Sequence, residues 1–283
     1  MLKLMGEETM PNETRSIEVA VDIAAPADVV WKALTDPAEL VRWFPLQSAV
    51  TPGRGGTMKW AWDDKWTWES KIDIWEPQQR LRLVQDEQRP FDVEGGVLPP
   101  GEVAAAHMLM DFTLETVAGQ TRLRLVHSGF GRGAAWDDEI DGVRVGWNAE
   151  LHGLGFYLDR HRGKQRHSAS AYLTRSESQE TVWQKVSSAF KLSPTPAVPG
   201  QPYRAEVSTG DRCDGIVRHY IPNRDFTGTV RALDDGILRL GTHRAAGKTG
   251  TVVFVATWND RHASAVRDLG TRTQKLLDGM FAS

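Results

Sequence analysis

A single cysteine, four tyrosines and the absence of any apolar run near the roughly 18 residues of a membrane helix mark what this 283-residue sequence lacks. One thiol, Cys213, cannot form an internal disulfide. The fold must therefore rest on its packed cores, and a reducing compartment, the cytoplasm, is the expected location. Cys213 stands among Asp211, Arg212 and Asp214 without a histidine beside it, which makes a plain thiol of it, not a nucleophile. No membrane span is expected. The opening MLKLMGEETMPNETRS is broken by Glu7, Glu8 and Glu13, so no secretory signal is expected there, and residues 1–15 are expected to form a disordered leader.

Ligand motifs are also scarce. GTHRAAGKTG resembles the end of a phosphate loop, but Gly241 and Gly247 stand one residue further apart than that pattern allows, and strands flank both sides; a hairpin turn is expected. GFGRGAAW lacks a preceding strand–helix nucleotide unit. His161 and His167 have neither a third ligand nor helical spacing. No cofactor and no metal is expected. No nucleic-acid motif appears either, and the basic residues of the second half are scattered, so no nucleic-acid partner is expected.

The composition, 40% hydrophobic and 25% charged, is that of a globular protein, and the length fits about two domains of roughly 150 residues. The net charge of −3 hides an asymmetry: residues 1–163 carry 17 basic and 26 acidic side chains (−9), residues 164–283 carry 17 and 11 (+6). Opposite signs fit attraction between the halves or a shared acidic partner; a merely solvated surface is the third option.

SIEVAVDI, residues 16–23, alternates like a half-buried strand. Pro26 to Phe44, PADVVWKALTDPAELVRWF, reads as helix, turn, helix, with Asp36, Pro37 and Glu39 in a capping-box arrangement for the second helix. In GTMKWAWDDKWTWESKIDIW, Met58, Trp60 and Trp62 share one face. Trp66, Trp68, Ser70, Ile72 and Ile74 share the matching face if the loop is Asp63 to Lys65. That register places four indoles on one side. Strands are expected at Arg80–Gln85, Ala104–Thr116 and Thr121–Ser128, with a Gly- and Pro-rich loop before the second of these. A helix from about Asp138 to His161 follows, striped by Ile140, Val143, Trp147, Leu151, Leu154 and Leu158. Its glycines imply a close approach, a kink or room for a ligand.

PADVVWKALTDPAELVRWF, HSGFG from His127 and WDDEIDGVRVGW from Trp136 together resemble the START-like (SRPBCC) superfamily, and more narrowly the homologues of the activator of the heat-shock-protein-90 ATPase. The resemblance spans about residues 16–162. It implies an α+β helix-grip, a curved antiparallel sheet wrapped around a long C-terminal helix. SQETVWQKVSSAF echoes the first helix, with Trp183 152 residues after Trp31. The order strand, helix, strands at 203–207, 215–220, 226–233, 237–243 and 251–258, then a helix over 262–281, repeats the pattern without its second short helix and long loop. Two tandem copies are expected, residues 16–163 and a shorter, degenerate 168–283.

The four-indole hairpin is either ordinary core or the wall of a cavity that the helix glycines leave open. The resemblance favours the cavity, and an apolar, adaptable lining suits a lipid or an aromatic polyketide-like molecule. The candidate ligand-binding residues are Trp60, Trp62, Trp66, Trp68, Met108, Met110, Phe112, His127, Trp147 and Leu151. The leading expectation is a non-enzymatic protein that binds a hydrophobic small molecule. The resemblance implies two others: a regulator that binds a chaperone or another protein, and a polyketide cyclase or dehydratase with His127 as base. A hydrogen bond to loop backbone is the plainer role for His127. The sequence does not define an oligomeric state.

Overall fold

A computed structural model describes residues 14–62, 66–88, 105–207, 210–245 and 247–280. The expected leader up to residue 13, the hairpin loop Asp63 to Lys65 and the Gly- and Pro-rich loop lie outside these residues. The chain forms two antiparallel sheets with helices, a tandem helix-grip. The first sheet contains β1 (Arg15–Ile23), β2 (Gln47–Val50), β3 (Thr57–Ala61), β4 (Thr67–Glu76), β5 (Arg80–Gln88), β6 (Ala105–Val117) and β7 (Gln120–Phe130), in the order β1-β7-β6-β5-β4-β3-β2. Helices α1 (Ala27–Thr35) and α2 (Pro37–Leu40) follow β1, and α3 (Ala134–Arg160) follows β7.

The second sheet repeats this winding. It contains β8 (His167–Arg175), β9 (Pro202–Glu206), β10 (Arg212–Ile221), β11 (Asp225–Val230), β12 (Gly236–Ala245) and β13 (Lys248–Thr257), in the order β8-β13-β12-β11-β10-β9. Helix α4 (Gln179–Ala189) follows its first strand and α5 (Ala263–Gly279) its last. In both sheets the last strand returns beside the first. Trp31 in α1 and Trp183 in α4 are both buried at matching places.

Alternation explains the layering. In β1, Ile17, Val19, Val21 and Ile23 enter the core, while Glu18 and Asp22 face out and pair with Arg124 and Arg122 of β7. The convex face of this sheet is thus polar, and α3 packs on the other. In the second sheet, Leu238, Leu240, Val253 and Val255 point to a core shared with α4 and α5. The alternate residues Ile237, Phe254 and Ala256 belong to the first core instead. Helix α3 therefore lies between two sheets.

The structure corrects four expectations. The short strand β2 was not anticipated; its burial alternates only between exposed and half-buried, and it forms the sheet edge. A bulge between Ile72 and Ile74 inserts one residue and reverses the alternation, so Ile74 lies opposite Arg82, and Trp75 turns inward against Trp31 at 5.1 Å between ring centroids. The strand expected over 226–233 ends at Val230 in a 3-10 turn, Arg231–Leu233. Asp36 caps α2 through the Ala38 amide, but Glu39 does not complete a capping box: its carboxylate pairs with Arg42 and accepts the Tyr157 hydroxyl of α3 at 2.6 Å.

Candidate functional site

A cavity of about 740 Å³ opens between the first sheet, α3 and the second sheet. One wall is the tryptophan hairpin. Trp60 lies opposite Trp68 in the β3–β4 register, and the Trp62 amide donates to the Trp66 carbonyl at 2.9 Å, so all four indoles line the same space. Trp62 meets Trp68 edge to face at 4.8 Å, and Phe44 meets Trp60 at 5.0 Å and Trp62 at 4.9 Å. Such edge contacts fix the rings and leave flat faces for a guest. Met108, Met110 and Gln85 complete this side.

His127 sits where β7 passes α3 and is 7% exposed. The Trp147 indole N–H donates to its Nδ1 at 3.1 Å. An indole nitrogen only donates, so Nδ1 is the acceptor and the neutral ring carries its proton on Nε2. That Nε2–H is buried without a partner among the described residues, as is the Trp60 indole N–H. Burial pushes the His127 pKa down to about 3. No backbone carbonyl of the loop takes its proton, so the plainer expected role is replaced by an anchor for Trp147.

The facing wall belongs to the second half of the chain, and sequence reasoning missed it. Tyr172 and Thr174 of β8, Asp225 of β11, Arg239 and His243 of β12 and Val252 of β13 line the cavity. Asp225 is wholly buried and accepts from Arg239 at 3.0 Å, while its Oδ1 has no partner among the described residues. Glu150 of α3 stands 3.7 Å from Arg239 and keeps 30% of its side chain exposed in the cavity that it lines. Enclosure raises the Glu150 pKa, against the pull of Arg239 and Arg166. Burial opposes the charge of Arg239, but Asp225 and Glu150 together outweigh it and hold its pKa above the ordinary value. Burial, with help from Arg239 and Arg224, lowers His243 to about 4 and keeps it neutral.

Further contacts dock the halves. Arg224 pairs with Asp141, and Arg244 lies 3.6 Å from Asp138, so arginines of the second half meet acids of α3. The Trp258 indole donates to the Arg42 carbonyl at 2.8 Å and stacks on His161 at 4.4 Å. Arg166, buried and lowered by that burial to about 10, donates to the carbonyls of Phe44 and Pro45. The opposite charges of the two halves are thus used, at least in part, on each other.

Residues 24–159 match the family model of the Activator of Hsp90 ATPase homolog 1-like protein. The first half of the chain is similar to that family. No curated protein matches the chain in sequence. Many solved structures are similar to the chain, among them the following three. The Aha1 dimer from Colwellia psychrerythraea is 20% identical, covering 53% of this chain and 99% of that one, with a TM-score of 0.41. DynU16, from the dynemicin biosynthetic locus, is 21% identical, covering 92% and 96%, with a TM-score of 0.41. The di-domain ARO/CYC BexL from the BE-7585A biosynthetic pathway is 17% identical, covering 93% and 94%, with a TM-score of 0.42.

Within this half, Trp60, Trp62, Trp66, Trp68, Met108, Met110, His127 and Trp147 come together around the cavity. Phe112 and Leu151 do not line it. Phe112 packs behind Trp147 at 5.7 Å between centroids and Leu151 is wholly enclosed, because each lies deeper in the grip than the hairpin reaches. Cys213 is buried on β10 and its thiol is pushed up to about 11 by burial, which leaves it unreactive. Among the described residues, no helix is long and apolar enough to cross a membrane.

Proposed function

We propose that the protein binds a flat hydrophobic small molecule bearing a carbonyl or similar acceptor, a lipid or an aromatic polyketide-like compound, and that it does so without catalysing a reaction. The cavity of about 740 Å³ walled by four indoles carries this reading; it falls within the roughly 300–1,000 Å³ typical of small-molecule sites. The unpartnered N–H groups of His127 and Trp60 support it, since buried donors are normally satisfied and a guest oxygen would satisfy them. On this reading residues 16–163 form the binding domain and residues 168–283 form a second domain that walls it, in a cytoplasmic protein.

A cyclase-type reaction with His127 as base is the weaker reading. A ring with a pKa of about 3 that already holds its proton on the nitrogen left free by Trp147 is a poor acceptor of another. A chaperone-binding role draws on the family match alone, and the ion pairs between the halves reduce the charge left for an outside partner. Titration with lipids and aromatic polyketides, followed by tryptophan emission, tests the proposal together with native mass spectrometry for a co-purified ligand. Saturable quenching is expected; no response to any compound and no bound mass would refute it.

A further inference from the structure

Helix α3 presents two adjacent lines of residues to the cavity. Glu139, Val143 and Trp147, spaced by four, form one. Gly142, Gly146 and Glu150, also spaced by four, form the other. The first line carries the indole that leans on Phe44, Trp60 and His127. The second faces the polar wall: a Cβ at Gly142 would come within 3.9 Å of His243, and one at Gly146 would meet nothing within 4 Å. The two glycines thus leave the aromatic space continuous with the space beside Arg239. Glu150 closes the line, its carboxylate bordering the cavity with Arg239 at 3.7 Å as its ion-pair partner.

As the ion-pair partner of Arg239, the Glu150 carboxylate offers the cavity a hydrogen-bond acceptor. The cavity's buried N–H groups that have no partner among the described residues stand on the aromatic side, on His127 and Trp60. We propose that the ligand is bipolar: a polycyclic aromatic carbonyl compound that carries a hydroxyl or amine donor at its far end, with Glu150 accepting that donor across the glycine line. Glu150 is then a specificity-determining residue. The second half of the chain completes the site of the first, because Arg239 and Asp225 hold the environment of that carboxylate. The inference rests on the cavity being the binding site.

The test uses the full chain and three neutral probes: 2-methylanthraquinone, 2-(hydroxymethyl)anthraquinone and the methyl ether of the latter. The alcohol is expected to bind about tenfold more tightly than its ether, the ratio worth one hydrogen bond to a charged acceptor. Glu150→Met should bring the ratio of the two affinities close to one. Gly146→Leu, which places a side chain in open space and improves a helix position, should do the same by closing the passage. Equal binding of alcohol and ether by the unaltered protein, or a preference that survives both substitutions, overturns the inference while leaving the cavity as the site. Failure of all three quinones to bind overturns the inference as well; the proposed function falls only if lipids and aromatic polyketides also give no response and no bound mass is found.

Discussion

His127→Phe tests the chemistry of the site through stability. In the folded chain the imidazole is neutral, with a pKa of about 3, whereas the unfolded chain titrates near the ordinary 6.5. The unfolded state therefore binds the proton first. The stability associated with the neutral ring is complete above about pH 6.5 and is lost progressively as the pH falls toward 3. At about pH 4.5, two units below the unfolded value, this group alone costs the wild-type protein about 2.7 kcal/mol, at 1.36 kcal/mol per unit. Phenylalanine removes that linkage. It also leaves the Trp147 indole N–H without its acceptor, an offset of about 1–3 kcal/mol that does not depend on pH. Urea unfolding of both proteins at about pH 7.5 and pH 4.5 separates the two effects, since the offset cancels in the difference between pH values. Tryptophan emission is a suitable signal because nine of the 11 tryptophans lie before residue 163. The variant should gain about 2.7 kcal/mol relative to wild type on acidification; a gain below about 1 kcal/mol would mean that His127 titrates like an exposed histidine and would refute the buried-donor argument.

Two other substitutions probe the frame around the site. Gly129 has φ +101°, and a Cβ there would lie 2.1 Å from the His107 carbonyl oxygen, so Gly129→Ala should lower stability by at least about 2 kcal/mol, read as a fall in Tm. Trp258→Phe keeps an aromatic ring over His161 but loses the hydrogen bond to the Arg42 carbonyl, and should cost about 1 kcal/mol in urea unfolding.

Much of the fold was legible because the strands alternate cleanly. Ile17 to Ile23 and the four hairpin indoles, Trp60, Trp62, Trp66 and Trp68, declare their inner face without help from the rest of the chain. The bulge at Ile72 to Ile74 was not legible, since nothing local in KIDIW separates a regular strand from one with an extra residue. The edge strand β2 is short and polar, and its pairing with β3 supplies what its own sequence does not. The site divides the same way. Its aromatic wall could be read from one hairpin. Its polar wall exists only through docking, and the one signal for it was indirect: a charged Arg239 between Leu238 and Leu240, in a basic half that follows an acidic one. Phe112 and Leu151 obey the same periodicity as the lining residues. Periodicity gives the face but not the depth.

The position of α3 between the sheets has a consequence for the order in which the protein is made. When the ribosome has released residue 160, the first grip has all its strands and its long helix, but the side of α3 that bears Gly142, Gly146 and Glu150 is still bare. The strands that cover it, β8, β11, β12 and β13, are translated afterwards, and β13 comes last. Until then the site is a trough whose one side is open to solvent. Completion of the chain turns the trough into a chamber.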